Sequence, residues 1–185
     1  MPLIDTRGIV RAVNDLEQWN ARYLAGERGE SKPSPLVIEA AAELPAGRAL
    51  DLACGAGRNA LFLAKNGWEV VAVDGSAEAI RVVKQRAKHV GVTIETHVAD
   101  LESSLPLPFD DASFDLVTIV LYLRPSLIAE ARRLLRDGGT CAVSVKTAGT
   151  FAMSLDALRE QFAEWEVVVA REGDGVADVI AIRQS

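Results

Sequence analysis

The chain has 185 residues, of which 49% are hydrophobic and 5% aromatic, and its formal net charge is −6. This length fits one domain with a buried core, and the hydrophobic share excludes a disordered chain. The acidic balance argues against a broad nucleic-acid-binding face and against a polybasic membrane anchor, so we expect neither a nucleic acid nor a membrane as partner.

The cysteines and apolar runs predict where the protein resides. Cys54 and Cys141 belong to no CxxC pair or zinc-ligand pattern, which favours a reducing compartment and no metal site. The first ten residues lack the apolar region of a signal peptide. The longest aliphatic run, Leu116–Leu123, falls short of the roughly 18 apolar residues of a membrane span. We therefore expect a soluble, cytoplasmic protein.

The first 45 residues have a helical pattern. Leu16, Trp19 and Tyr23 fall at helical spacing, which predicts a helix over Asp15–Gly26. A second helix is predicted over Pro35–Leu44.

From residue 48 onward, predicted strands and helices alternate. The strands are Arg48–Ala53, Glu69–Val73, Val92–Val98, Phe114–Leu121, Thr140–Val145, Glu166–Ala170 and Val176–Arg183. Four helices are predicted in this part of the chain. Three are Ala60–Lys65, Pro125–Arg136 and Ser154–Phe162, and the fourth begins after its N-cap Ser76 and ends at Gly91. The turn Glu172–Gly175 would join the last two strands as a hairpin. This order predicts an α/β fold with a doubly wound, mostly parallel seven-stranded sheet, helices on both faces and a C-terminal antiparallel hairpin.

Glycines and polar side chains follow four of the predicted strands, where ligands of such a sheet bind. The four clusters are Asp51–Asn59, Asp74–Ser76, Asp100–Leu101 and Tyr122–Arg124. Within the first cluster, Gly55 and Gly57 allow close approach of the backbone to a ligand. Asp74 lies 19 residues after Gly55, the range in which an acid binds a ribose diol, and Asp100 can accept a hydrogen bond from an adenine amino group. The pattern predicts an adenosine site.

Two classes of adenosine ligand compete for this site. The spacing of Gly55, Gly57 and Ala60 also matches the dinucleotide fingerprint, which needs a pyrophosphate over the loop. The negative charge of Asp51 at the end of the same strand would repel a phosphate and attract an ammonium. Within the loop, only Arg58 could offset this charge. S-adenosylmethionine carries adenosine at one end and an ammonium at the other. An NAD(P)-dependent reductase and a non-catalytic S-adenosylmethionine-binding interaction protein remain as alternatives.

The stretch Leu50–Ile80 resembles the signature region of class I S-adenosylmethionine-dependent methyltransferases. Gly57–Ala60, together with the Trp19–Tyr23 helix, is similar to the small tellurite-resistance and thiopurine-methyltransferase-like branch. The chain departs from the family at Ala53, where many members have glycine, and at Asp137, where proline is common. The last forty residues also contain no histidine, whereas the tellurite-resistance type is expected to use a His-Arg pair near its end.

The resemblance implies S-adenosylmethionine as cofactor and a role for each site residue. Asp51, Gly55, Arg58 and Asn59 would hold the methionine moiety, Asp74 the ribose, and Asp100 and Leu101 the adenine, with Val120 beneath the ligand. The complete implied cofactor set is Asp51, Ala53, Gly55, Gly57, Arg58, Asn59, Asp74, Gly75, Ser76, Asp100, Leu101 and Val120. The whole chain, 1–185, would form one methyltransferase domain in which residues 1–45 act as a lid or substrate segment.

The acceptor is expected to be a small molecule. The candidate substrate-binding residues are Trp19, Tyr23, Tyr122, Arg124 and Lys146, and the basic pair among them is compatible with an anionic acceptor. After the fourth strand the sequence has no Asn/Asp-Pro-Pro-aromatic motif, no Pro-Cys pair and no acid cluster. These absences disfavour methylation of exocyclic amines, of cytosine C5 and of catechols. They favour a soft nucleophile such as a thiol or selenol, for which the sequence indicates no catalytic base.

Overall fold

The computed structural model describes residues 17–25, 32–122, 124–149 and 152–185. Helix α1 covers residues 17–24, within the predicted Asp15–Gly26. The ends of that prediction, and the other predictions for residues 1–16 and 26–31, lie outside the described residues.

The sheet has seven strands in the order β3-β2-β1-β4-β5-β7-β6. The strands are β1 Arg48–Leu52, β2 Glu69–Asp74, β3 Glu95–Val98, β4 Phe114–Val120, β5 Leu135–Lys146, β6 Trp165–Gly173 and β7 Val176–Arg183. Strands β1 to β5 pair in parallel, whereas β7 is antiparallel to both β5 and β6. The predicted fold class is thereby confirmed, and the strand order reverses between β1 and β4, where a ligand crevice is expected.

Helices cover both faces of the sheet. Besides α1 they are α2 Pro35–Ala42, α3 Arg58–Lys65, α4 Ala77–Val90, α5 Pro125–Leu134 and α6 Leu155–Glu160. Residues of α2, α3 and α4 pack on the face that carries Ala49, and residues of α5 and α6 on the face that carries Leu50 and Leu52. Successive strand residues point to opposite faces, so a central strand must be apolar on both. None of the helices in the described part of the chain is long and apolar enough to cross a membrane.

Local signals determine several element ends. Ser76 caps α4 as predicted, since its hydroxyl oxygen accepts a hydrogen bond from the Ala79 amide at 3.1 Å. Gly91 ends the same helix with a left-handed φ of 73°. The hairpin turn narrows to Asp174 and Gly175, both with positive φ, the conformation that matches the strand twist.

Several predicted boundaries were wrong, among them the start of β5, which is Leu135 instead of Thr140. Helix α5 ends at Leu134 instead of Arg136, because Leu135 is fully buried and already pairs with Phe114 as the first residue of β5. The third strand was expected from Val92 but begins at Glu95. The amide of Val92 instead donates to the Ala87 carbonyl and completes the C-terminal cap of α4.

Candidate functional site

A cavity of about 310 Å³ opens at the carboxyl ends of the central parallel strands. Most of the predicted site residues line it, namely Trp19, Tyr23, Ala53, Gly55, Arg58, Asn59, Asp74, Gly75, Asp100, Leu101, Val120 and Tyr122. Cys54, Ala56 and Leu121 complete the lining. The four sequence clusters therefore meet at one place, as the parallel sheet requires.

Five of the predicted residues are not part of the cavity wall. They are Asp51, Gly57, Ser76, Arg124 and Lys146. Asp51 and Ser76 are fully buried beside the cavity, where they support residues that line it. Arg124 is engaged by another side chain, and Lys146 is exposed at the end of β5.

The Asp51 side chain connects β1 to β4 and to the start of α3, on either side of the glycine loop. Strand register places it beside Thr118 of β4, whose hydroxyl donates to Asp51 Oδ1 at 2.8 Å. Oδ2 accepts from the Ala60 amide of α3 at 3.1 Å. Burial raises the pKa of Asp51 to about 7, against the two hydrogen bonds, which lower it. The site thus contains a carboxyl group whose charge changes near neutral pH.

The loop after β1 depends on left-handed backbone conformations. Gly55 has φ 53°, and a Cβ there would come within 2.7 Å of the Tyr23 hydroxyl oxygen. Gly57 has φ 80°, and a Cβ would meet Val83 of α4 at 2.8 Å. Gly57 therefore serves the packing of the loop on α4, whereas Gly55 leaves room for Tyr23. Ala53 also has a positive φ, 54°, at the position where glycine is common in the family.

Asp74 joins the ends of β1 and β2. Its Oδ2 accepts from the Gly55 amide at 2.8 Å, and its Oδ1 accepts from the Ser76 amide at 2.8 Å. Burial raises the pKa of Asp74, while the two amides lower it. The carboxylate lines the cavity, and each oxygen retains a second lone pair for a ligand hydroxyl.

Asp100 shapes the loop after β3. Its Oδ1 accepts from the Glu102 amide at 2.9 Å and its Oδ2 from the Ser103 hydroxyl at 2.6 Å. This side-chain turn holds residues 100–104 in one arrangement. Leu101 is buried within it and lines the cavity.

Helix α1 lies over the cavity through two contacts. The Ser76 hydroxyl donates to Asn20 Oδ1 at 2.5 Å, and the Tyr23 hydroxyl lies over Gly55. Burial, with the nearby Asp74 charge, raises the pKa of Tyr23 to about 12. Trp19 stacks on Tyr23 with ring centroids 6.3 Å apart, although it remains 49% exposed.

Arg58 and Asn59 at the start of α3 contact the segment that precedes α2. The Ser34 amide donates to Asn59 Oδ1 at 2.9 Å, and Asn59 is buried. Arg58 Nη1 approaches the Lys32 carbonyl oxygen at 3.4 Å. The beginning of α2 is thus attached to the same loop that lines the cavity.

Glu102 connects the loops after β3 and β4. Its Oε1 accepts from the Tyr122 hydroxyl at 3.2 Å, and its Oε2 lies 2.9 Å from Arg124 Nη1. The Glu102 carbonyl oxygen also accepts from Arg124 Nη2 at 3.1 Å. Burial, together with the Glu102 charge, raises the pKa of Tyr122 well above its usual value.

Sequence reasoning did not single out Asn20, Glu102, Thr118 or Leu121. Thr118 had a signal, since it is a polar residue within the apolar run of β4 and faces the same side as Asp51. Glu102 and Asn20 had none, because their importance comes from partners 20 and 56 residues away in sequence. Among the described residues, no group of three or more His, Cys, Asp or Glu could hold a metal ion.

Comparisons with known proteins indicate the family that this part of the chain resembles. Residues 49–139 match the family model described as a methyltransferase domain. The match and the fold together support a class I S-adenosylmethionine-dependent methyltransferase domain over these residues. S-adenosylmethionine is the cofactor of this class, and the match contains the predicted cofactor residues from Asp51 to Val120.

Individual relatives of this chain are distant. Hemagglutinin 1 of Eikenella corrodens is 28% identical over 84% of this chain and 56% of the relative. An uncharacterized methyltransferase from Synechocystis is 34% identical over 62% of this chain and 54% of the relative. The chain thus spans about half the length of the curated relatives it matches. The crystal structure of TehB from Haemophilus influenzae shares the fold with a TM-score of 0.70 at 20% identity, over 80% of this chain and 61% of that one.

Proposed function

We propose that this protein transfers a methyl group from S-adenosylmethionine to a small-molecule acceptor, specifically a soft nucleophile such as a thiol or selenol. The observation that carries the proposal is the cavity formed by the Gly55 loop, Asp74 and Asp100 within the matched methyltransferase domain. The name of the Synechocystis relative, a methyltransferase, supports the same activity.

The cavity residues fit the cofactor in three respects. The Asp74 carboxylate is available to the ribose hydroxyls, because each of its oxygens accepts one protein hydrogen bond and retains a lone pair. Leu101 and the Asp100 turn would border the adenine. The Gly55 loop would face the methionine end, and the Asp51 carboxyl, buried beside the cavity, would favour a cationic ammonium there when it is ionised.

The geometry disfavours the dinucleotide alternative. A pyrophosphate needs free backbone amides at the loop. The amides of Gly55 and Ala60 instead donate to the carboxylates of Asp74 and Asp51, and the Gly57 amide donates to the Cys54 carbonyl oxygen. Two carboxylates beside this loop would also repel a phosphate. An NAD(P)-dependent reductase is therefore the weaker interpretation.

Positioning would supply most of the rate enhancement. When bound, S-adenosylmethionine supplies a methyl group on a positively charged sulfur that is already a good leaving group. The protein has to hold the acceptor in line and exclude water, for which Trp19, Tyr23, Leu121 and Tyr122 are placed. A thiol has a pKa of about 8.5 and needs little help in losing its proton. This agrees with a cavity that lacks an evident general base among the residues described.

The absent motifs after β4 and the resemblance of Gly57–Ala60 to the tellurite-resistance and thiopurine-methyltransferase-like branch support a soft acceptor. Residues 1–45 would contribute to a lid within a single domain, because α1 contacts Ser76 at the start of α4 and Ser34, the N-cap of α2, contacts Asn59 at the start of α3. Lys146, exposed and outside the cavity wall, is the weakest of the proposed substrate contacts.

Two measurements test the proposal. Thermal unfolding is recorded with S-adenosylhomocysteine and with NAD(P), and we expect stabilisation by the first alone. Purified protein is then incubated with methyl-labelled S-adenosylmethionine and a panel of thiols, selenols, amines and alcohols. Methylation of amines or alcohols without any thiol or selenol would disprove the soft acceptor. Binding of S-adenosylhomocysteine without turnover of any acceptor would favour the non-catalytic alternative.

A further inference from the structure

The charged side chains of the cavity wall follow β1, β2 and β3, whereas the wall after β4 is uncharged. Arg58, Asp74 and Asp100 belong to the first group. Val120, Leu121 and Tyr122 form the wall after β4. Leu121 is 47% exposed and has a left-handed φ of 58°, which an L residue adopts at a cost. An apolar side chain is therefore held in the mouth of the cavity by a strained backbone.

The cation that follows this wall in the sequence, Arg124, is paired with an acid. Arg124 follows Tyr122 by two residues and makes a two-point contact with Glu102, through the carboxylate at 2.9 Å and the main-chain carbonyl at 3.1 Å. The same carboxylate accepts from the Tyr122 hydroxyl at 3.2 Å. Glu102 is itself fixed by the Asp100 carboxylate through its amide. One acid thus holds both polar groups that follow β4.

We propose that Glu102 is a positioning and specificity-determining residue, which orients Tyr122 in the acceptor wall and withholds the Arg124 charge so that the cavity takes an acceptor with an uncharged body. The inference rests on the proposed methyl transfer and narrows it. It replaces the anionic acceptor that the Tyr122, Arg124 and Lys146 cluster suggested, because neither cation belongs to the cavity wall.

The first arm of the test uses no acceptor. The chain has two tyrosines, Tyr23 and Tyr122. In a Tyr23→Phe background, labelling with 3-fluorotyrosine gives one ¹⁹F resonance, and fluorine lowers the pKa of the phenol into an accessible range. Glu102→Gln keeps the side-chain shape and removes the charge, so we expect the phenol pKa of residue 122 to fall. Glu164→Gln is the matched control, since Glu164 pairs with Arg132 and is not part of the cavity wall.

The second arm compares thiophenol with 4-mercaptobenzoate, which adds a carboxylate. The unsubstituted protein should prefer thiophenol in kcat/KM. Glu102→Gln removes the charge that balances Arg124 and should narrow that preference by about fivefold, a size typical of one partly exposed charge contact, while Glu164→Gln leaves it unchanged. Affinity for S-adenosylhomocysteine should stay within about threefold in both variants, less than the loss of one hydrogen bond to a charged group.

The outcomes separate the two proposals. A fall in the phenol pKa together with the narrowed preference supports the role of Glu102. An unchanged preference, or a phenol that titrates as in Glu164→Gln, overturns it. If the unsubstituted protein methylates neither thiol, the thiol acceptor is overturned, and the role of Glu102 then stands or falls on the titration.

Discussion

The carboxylate of Asp74 accepts a hydrogen bond from the Gly55 amide at 2.8 Å, so the acid at the end of β2 closes the loop that follows β1. The same carboxylate accepts from the Ser76 amide at the start of α4. The geometry of the loop and the ionisation of one ligand-facing acid are therefore linked. A ligand that hydrogen-bonds to Asp74 stabilises the loop at the same time.

Asp74→Asn should weaken S-adenosylhomocysteine binding by about tenfold to a hundredfold, the cost of one or two hydrogen bonds to a charged group. An asparagine also places an NH₂ group against one of the two donating amides. Isothermal titration calorimetry measures the loss. Asp110→Asn removes an exposed carboxylate outside the cavity and should bind as tightly as the unsubstituted protein. Equal affinity in Asp74→Asn would mean that this acid does not contact the ligand.

The buried carboxyl of Asp51 should make stability depend on pH. Its pKa is about 7 in the folded chain, against 3.8 for a solvated aspartate in the unfolded chain, because burial disfavours the charge. Between these values the folded state keeps a proton that the unfolded state has lost. The contribution of Asp51 is therefore fully present below pH 3.8 and is lost as the pH rises to about 7.

Asp51→Asn should remove this dependence. Thr118 can rotate its hydroxyl to accept from the new amide, so the shape of the contact survives. Urea unfolding at pH 5 and pH 8 compares the two proteins, and the variant should gain relative stability at the higher pH. A constant stability difference across that interval would contradict the pKa of about 7.

Ala53→Gly should stabilise the fold. The residue has φ 54°, a conformation that costs an alanine about 1–2 kcal/mol and that glycine adopts without strain. The greater entropy of glycine in the unfolded chain offsets roughly half of this stabilisation. We expect an increase of up to about 1 kcal/mol in the free energy of unfolding, measured by chemical denaturation. Ala112→Gly, at φ 51° and outside the cavity wall, should gain about as much. A loss of stability in Ala53→Gly would show that the methyl group contributes more packing than strain.

Local patterns in the sequence predicted the fold class correctly, and they predicted that residues following different strands lie at one cavity. Alternation, caps and turns in the sequence suffice for the parallel sheet, for Ser76 as a cap and for a hairpin between the last two strands, although its turn was predicted over Glu172–Gly175 and is shorter. The acids at strand ends could be placed together because parallel strands end at one edge. The same reasoning could not show that Asp51 is directed inward to Thr118, because that depends on the register between β1 and β4.

Contacts between side chains that are far apart in the sequence could not be predicted from it. Arg124 is predicted to contact the acceptor because it follows β4, and its pairing with Glu102 from another loop could not be seen in the sequence. The predicted start of β5 was wrong for a similar reason. The sequence alone does not show whether residues 136–139 continue helix α5 or end it. The pairing of Leu135 with Phe114 determines where β5 begins.

The hydrogen bond between Asn20 and Ser76 should support the cover that α1 forms over the cavity. Asn20 Oδ1 accepts from the Ser76 hydroxyl, while that hydroxyl oxygen also accepts from the Ala79 amide. Asn20→Ala leaves the cap of α4 intact and removes this hydrogen bond of α1, while the Tyr23 contact with Gly55 remains. Affinity for S-adenosylhomocysteine should fall by about threefold to tenfold, the value of one neutral hydrogen bond. Gln18→Ala, an exposed position on the same helix, separates this effect from a loss of helix propensity. Equal affinities in the two variants would mean that α1 covers the cavity without contributing to ligand binding.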